Sequence, residues 1–202
     1  MARRSGARNR GWRLAASLLV VLLAFSLVGV GVWATFTSTT SASTSVSSGT
    51  VVIQLGATGA STNRLNVNAS GIGPGDTVQR SVDLINSGTM NLSTITLTTT
   101  ATTSSLLDTD PTNGLQMAID GCSVPWTESG TSPNFTYSCS GSTSIVLASR
   151  AVVGSGLALS SLGALTAGVT DHLRVSLTLP IAAGNSFQNQ SSTIQYAFTG
   201  VH

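Results

Sequence analysis

The sequence predicts an all-β domain, an antiparallel sandwich or barrel, behind an apolar leader. Three observations carry this. Beyond the leader Thr, Val, Ile and Leu dominate, and apolar residues alternate with hydroxyl residues at period two, the repeat of a half-buried strand. Turn signals made of Gly, Pro, Asn and Asp punctuate these runs. Roughly eight to ten short strands at this spacing make a single sandwich or barrel, and no internal repeat or long linker divides it.

The leader comes first. Arg3, Arg4, Arg8, Arg10 and Arg13 lie in a segment without an acid, and an apolar run from Leu14 to Trp33 follows. A basic start, an apolar helix and a small residue at the end are the layout of a secretory signal peptide. Val32 and Ala34 suit a peptidase pocket for small side chains, which places the cut between Ala34 and Thr35. The apolar run is about 20 residues long, enough to cross a bilayer, so retention as an anchor is the alternative. Gly29 and Gly31 loosen the helix near its end and favour cleavage.

Residues 35–48 are nearly all Thr and Ser, with Phe36 at the start and Val46 near the end. This stretch cannot bury enough surface to order itself. It is either a flexible N-terminal arm or a strand that pairs with something. The domain proper spans 49–202.

Strand candidates within it are Thr50–Leu55, Arg64–Asn68, Thr77–Ile85, Leu92–Thr100, Leu115–Ile119, Phe135–Tyr137, Ser144–Leu147, His172–Leu179 and Ser192–Thr199. In the third, Val78, Arg80, Val82 and Leu84 share one face; in the last, Ile194, Tyr196 and Phe198 do. Gly73-Pro74-Gly75-Asp76, Asn86-Ser87-Gly88 and Asp110-Pro111-Thr112-Asn113-Gly114 read as turns. Leu157–Leu165 is the one stretch with a helical option, weakened by Gly163; a turn or 3₁₀ piece competes with it.

The overall charge of +2 misleads, because five of the nine basic residues sit in the leader. After Ala34, four arginines face seven carboxylates, a net charge of −3 over 168 residues. No basic patch survives, so a nucleic-acid partner is not expected. Charged residues are 8% of the chain, against about 25% in ordinary soluble domains. Such a surface repels itself weakly and tolerates association.

Cys122 and Cys139 are the only cysteines. In an exported chain an even number reads as a disulfide. Trp126, Phe135 and Tyr137 fall inside the loop they bound. Two readings are open: an aromatic cluster packed on the disulfide, or an exposed tip whose Trp126 contacts sugar or a partner.

Signals of catalysis are thin. There is no Gly-x-Ser-x-Gly elbow, phosphate-cradling loop or His-Glu-x-x-His helix. Asp108-Thr109-Asp110 before Asn113-Gly114 resembles a calcium loop, but the glycine is one place late and no glutamate follows, so a plain turn is expected. Asp171 beside His172 reads as a surface pair. No catalytic residue, metal ligand or cofactor is expected.

The leader with Trp33-Ala-Thr-Phe-Thr-Ser-Thr-Thr-Ser-Ala-Ser-Thr44, then Ser48-Gly-Thr-Val-Val-Ile-Gln-Leu55, Gly73-Pro-Gly-Asp-Thr-Val-Gln-Arg80, Asn86-Ser-Gly88, Leu173-Arg-Val-Ser-Leu-Thr-Leu-Pro180 and Phe187-Gln-Asn-Gln-Ser-Ser-Thr-Ile194, resembles the TasA/camelysin family of exported bacterial proteins. The resemblance covers most of the chain. It implies a jelly-roll-like sandwich and a leader cut by a SipW-type signal peptidase. Some members of that family build extracellular fibres of the biofilm matrix. Camelysin itself is described as a surface metalloprotease, but the His and Glu cluster of a zinc protease is missing here, so that activity is not expected.

The reading that follows is a secreted or cell-surface structural protein. It self-associates into filaments, with the arm (Thr35, Phe36 to Val46) adding a strand to a neighbour. The alternatives are a monomeric surface-binding module using Trp126, and a camelysin-like peptidase.

Overall fold

The computed structural model describes residues 50–66 and 72–202. The leader, the Ala34–Thr35 cleavage point and the 35–48 arm with Phe36 and Val46 lie outside the described residues. Among the described residues ten strands form: β1 (Ile53–Leu55), β2 (Thr77–Asn86), β3 (Thr94–Thr103), β4 (Gln116–Cys122), β5 (Thr127–Thr131), β6 (Asn134–Ser138), β7 (Thr143–Ala151), β8 (Gly154–Ala158), β9 (Thr170–Thr178) and β10 (Thr193–Val201). One sheet has the order β1-β2-β9-β4-β7 and a second β10-β3-β8, while β5 and β6 form a separate hairpin. Every pairing is antiparallel. The chain passes back and forth between the sheets, which gives the jelly-roll-like sandwich its connectivity.

Alternation decides what each sheet buries. Register sets Val82 opposite Leu173 on β2 and β9, and Ile119 opposite Val175 on β4 and β9. These residues, with Leu84 and Met117, are fully buried. The second sheet answers with Ile95 and Leu97 from β3, Leu157 from β8 and Phe198 from β10, and one continuous core results. At about 25 cal/mol per Å² of apolar surface removed from water, this core is the dominant stabilising term.

The turns form as their residues require. Gly75 sits at φ +91, which only glycine adopts cheaply, and Asp76 accepts from the Gly73 N–H. Asn86 is buried: its side-chain oxygen accepts from the Gly88 N–H, and its amide donates to the Met90 carbonyl.

The structure also departs from the sequence reading. Leu157–Leu165 is not helical: it completes β8 and then turns, with Leu157 and Leu162 buried in the core. The four-residue helix α1 (Leu106–Thr109) arises instead where Ser105 and Asp108 make a capping box. Arg64–Asn68 does not form a strand over its described part; Asn63 makes a single bridge to Val82, and Arg64 N–H donates to the Ser81 carbonyl. Strands β5 and β8 carry too few apolar residues, Thr-Glu-Ser-Gly-Thr and Gly-Ser-Gly-Leu-Ala, to signal themselves by periodicity.

Gly88 is where the start of the domain is pinned. A Cβ there would lie 2.3 Å from the Thr50 carbonyl oxygen and 2.8 Å from the Val52 nitrogen. Both are backbone atoms, so the segment leading into β1 must move. Gly88→Ala is expected to lower stability by about 1–3 kcal/mol, read as a fall in the urea midpoint at unchanged slope.

Candidate functional site

Two places carry distinctive chemistry. The first is the outer face of the five-stranded sheet. Alternation puts Asp83, His172, Arg174, Asp120 and Cys122 there, opposite in sense to the core residues. Cross-strand neighbours then pair: His172 Nδ1 lies 2.7 Å from Asp83 Oδ1, and Arg174 Nη2 lies 2.7 Å from Asp120 Oδ2. The expected Asp171–His172 pair does not form, because adjacent residues of a strand point to opposite faces. Asp171 accepts instead from the Gly163 and Ala164 N–H groups.

The β5–β6 hairpin docks over this face. Cys122 and Cys139 form the expected disulfide, with Cα atoms 5.8 Å apart, and join the end of β4 to the end of β6. Arg64 grips Glu128 with two bonds, Nε to Oε2 at 2.9 Å and Nη2 to Oε1 at 2.7 Å. The Tyr137 hydroxyl donates to the same carboxylate at 2.9 Å. The Arg64 guanidinium also lies over the Phe135 ring, 4.6 Å from its centre. Trp126 is half-buried: its Nε1–H donates to the His172 carbonyl at 2.9 Å, and the Arg174 guanidinium stacks 4.5 Å from its ring. Both functions of the indole are thus used inside the protein, which favours the packed reading of Trp126 over the exposed tip.

The Arg64 bonds hold the Glu128 carboxyl below its ordinary range; burial opposes this and the Tyr137 bond adds to it. Asp108 and Asp110, the calcium-like pair, are engaged as well. Asp108 accepts from Ser104, Ser105 and Ser192, and Asp110 accepts from the Thr112 and Asn113 N–H groups. Sequence reasoning missed the Arg64–Glu128 contact, which joins residues 64 positions apart; the one signal was that Glu128 is the sole glutamate.

The second place is the open side of the sandwich, where β1 and β10 form the edges of facing sheets. At one end the edges are shut. A Cβ on Gly200 would lie 2.5 Å from Ile53 Cδ1 and 2.8 Å from Leu92 Cδ1, so these side chains occupy the space its own would take. Towards the other end the edges part, leaving a groove of about 350 Å³ lined by Ile53, Leu55, Asn63, Tyr196 and Phe198. Tyr196 is half-buried in it, and burial pushes its phenol up to about 12, so it stays neutral at physiological pH.

The model of the camelysin metallo-endopeptidase family matches residues 11–119, just over half of the chain. The chain belongs to this family. No individually curated protein matches it. The family match takes in β1, β2 and the groove's first wall and ends one residue before Asp120. The disulfide, the docked hairpin and the other groove wall, β10, lie beyond it.

A metallo-endopeptidase needs a catalytic zinc held by about three His, Asp, Glu or Cys side chains. The undescribed residues contain none of these types, so every candidate ligand lies in the described part. There no group of three or more comes together. His172 is paired with Asp83.

Glu128 gives a pH test of the docking. Its carboxyl is depressed in the folded state, so the stability it adds is present above its unfolded pKa of about 4.3 and is lost as pH falls through the lower folded value. The stability gap between the wild type and Glu128→Gln is therefore expected to be widest above about pH 5 and to narrow below it. Denaturant titrations across pH 3–7 read this directly.

Proposed function

We propose that this protein is an exported structural protein of the cell surface or extracellular matrix that assembles into fibres of the biofilm type by strand addition. The supporting observation is the edge of β10. Natural sheets blunt their edges with charges, proline, bulges or short strands. The edge strand β7 is treated so: it carries Arg150, its ladder with β4 shifts register twice, and Ser160 bonds its carbonyls. Strand β8 is short and broken by Gly156 at φ +60. Strand β1 has three residues. By contrast β10, Thr-Ile-Gln-Tyr-Ala-Phe-Thr-Gly-Val, runs nine residues without charge or proline; its one register shift lies at its start, between Thr193 and Ile194, and its ladder partner among the described strands is β3.

The rest of the chain supports the same reading. Thr50, the first described residue of the domain, is bonded to Thr89 just ahead of β1. Three of the four arginines beyond the leader sit in the hairpin network and leave little charge to oppose association. The disulfide suits an oxidising destination. Cleavage between Ala34 and Thr35 by a SipW-type peptidase frees the arm. An arm of one copy in the groove of the next is a head-to-tail contact that does not close, so it grows a filament.

The test compares a chain beginning at Thr35 with one beginning at Gly49, which retains the whole described core. Electron microscopy and light scattering are expected to show filaments for the first and none for the second. Equal behaviour of the two overturns the strand-addition reading. The family name raises a peptidase as the second reading. The purified protein is expected to hold well under one equivalent of zinc and to leave casein uncut; stoichiometric zinc with chelator-sensitive cleavage would reverse this.

A further inference from the structure

The hairpin on the outer sheet face and the groove at the open side are joined through two arginines. Arg64 is the first. Its guanidinium holds the Glu128 carboxylate of β5 and also donates to the Gly59 carbonyl, in the loop that follows β1. That loop supplies Gly56, Thr58 and Asn63 to the groove wall. Its two ends are fixed to β2: the Gly56 N–H donates to the Asp83 carbonyl, and the Arg64 N–H to the Ser81 carbonyl. The tip, residues 57–60, is bonded differently. There the Gly59 and Ala60 N–H groups turn back to the loop's own Asn63 and Ala57 carbonyls, and the Arg64 side chain ties Gly59 to the hairpin.

Arg80 is the second. Buried in β2, its guanidinium lies 5.9 Å from the centre of the Phe135 ring of β6, within the range of a cation–π contact. Burial pushes the Tyr196 phenol up, and the Arg80 charge opposes that push across the groove floor. Phe135 therefore meets both arginines, and each leads to one wall of the groove.

The hairpin is fastened at its base by a covalent bond. Strand β6 ends at Ser138, and Cys139 next to it is joined to Cys122 at the end of β4. Strand β5 carries no apolar side chain, and β6 buries Phe135 and Tyr137 alone. A two-stranded hairpin is marginal by itself, so its place on the sheet depends on these few side chains and on the disulfide. Cys122 is buried and Cys139 half-buried, which leaves the Cys139 sulfur as the one a reductant meets first.

We infer that the β5–β6 hairpin is a redox-sensitive strap on the groove: with Cys122 and Cys139 joined it holds the 57–60 wall in place through Arg64, and reduction of the disulfide slackens that wall. A dithiol supplies the two electrons. One of its thiolates attacks the Cys139 sulfur, and the Cys122 sulfur leaves as a thiolate and takes up a proton. The second thiol then displaces Cys139, leaving two cysteine thiols on the protein and a disulfide on the reductant. Disulfides persist outside the cell and not in a reducing cytosol, so the groove takes its final form only after export. The strap holds the wall whether or not the groove receives a strand.

Hydrogen–deuterium exchange on the chain beginning at Thr35, kept dilute and unassembled, tests this with and without dithiothreitol. Reduction is expected to speed exchange at least tenfold in β5, β6 and residues 57–60, with β4 and β9 within twofold of the oxidised protein. Replacing both cysteines (Cys122→Ser with Cys139→Ser) is expected to reproduce that pattern without reductant. Arg64→Leu is expected to quicken the loop tip with the disulfide intact, after which reduction adds less than twofold there. Faster exchange confined to the hairpin, with residues 57–60 unchanged, overturns the inference. So does an equal rise in β4 and β9, which makes the disulfide a general support of the fold, or a loop that quickens as much on reduction of the Arg64→Leu variant as in the wild type.

Discussion

The contact between Ile53 and Gly200 closes one corner of the sandwich. Two sheets that pack face to face normally meet along both of their open sides. Here the β7–β8 connection carries the chain across one side, and on the other the edges touch only where a glycine makes room for an isoleucine. With no side chain at position 200, β1 and β10 come together at that end. Beyond it the edges part, and Leu55, Tyr196 and Phe198 line the groove between them. A closed corner and an open groove are therefore one feature, and the proposed function rests on the open part.

Charge is handled with the same economy. A chain with so few ionisable groups has little to spend on surface repulsion, and most of what it has is turned inward. Arg174 and His172 each meet a carboxylate on the outer face of the five-stranded sheet, and Arg64 clamps Glu128 of the hairpin that docks there beside the disulfide. Single exposed ion pairs contribute about 0–1 kcal/mol. Here a bidentate arginine, a tyrosine hydroxyl, a stacked tryptophan and a covalent link act on the same five-residue strands, so their effect is to fix the hairpin's position. One broad sheet face is covered in this way, and association is directed to the edges.

Much of this was legible in the sequence, for physical reasons that differ by element. The long strands β2, β9 and β10 announced themselves because each has one face in the core, and period two records that directly. The Pro74-Gly75-Asp76 and Asn86-Ser87-Gly88 turns were readable because their backbone conformations and local bonds demand those residue types. The disulfide followed from parity and compartment. The hairpin strand β5 was not readable, because its residues are held by Arg64 and a cysteine bridge and not by an apolar face. The pairing of His172 with Asp83 depends on register between strands far apart in the chain, which a local reading replaces with the wrong neighbour, Asp171. The groove was invisible for the same reason: it exists only once Gly200 is placed against Ile53.

The central claim is that β10 and β1 are the receiving edges for a strand from a second copy. Hydrogen–deuterium exchange on unassembled and assembled protein tests it most directly. The account predicts that assembly slows exchange along Thr193–Val201 and Ile53–Leu55, with β7 and the β5–β6 hairpin unchanged. Protection gained at β7 or the hairpin, with β10 exchanging as before, would contradict it.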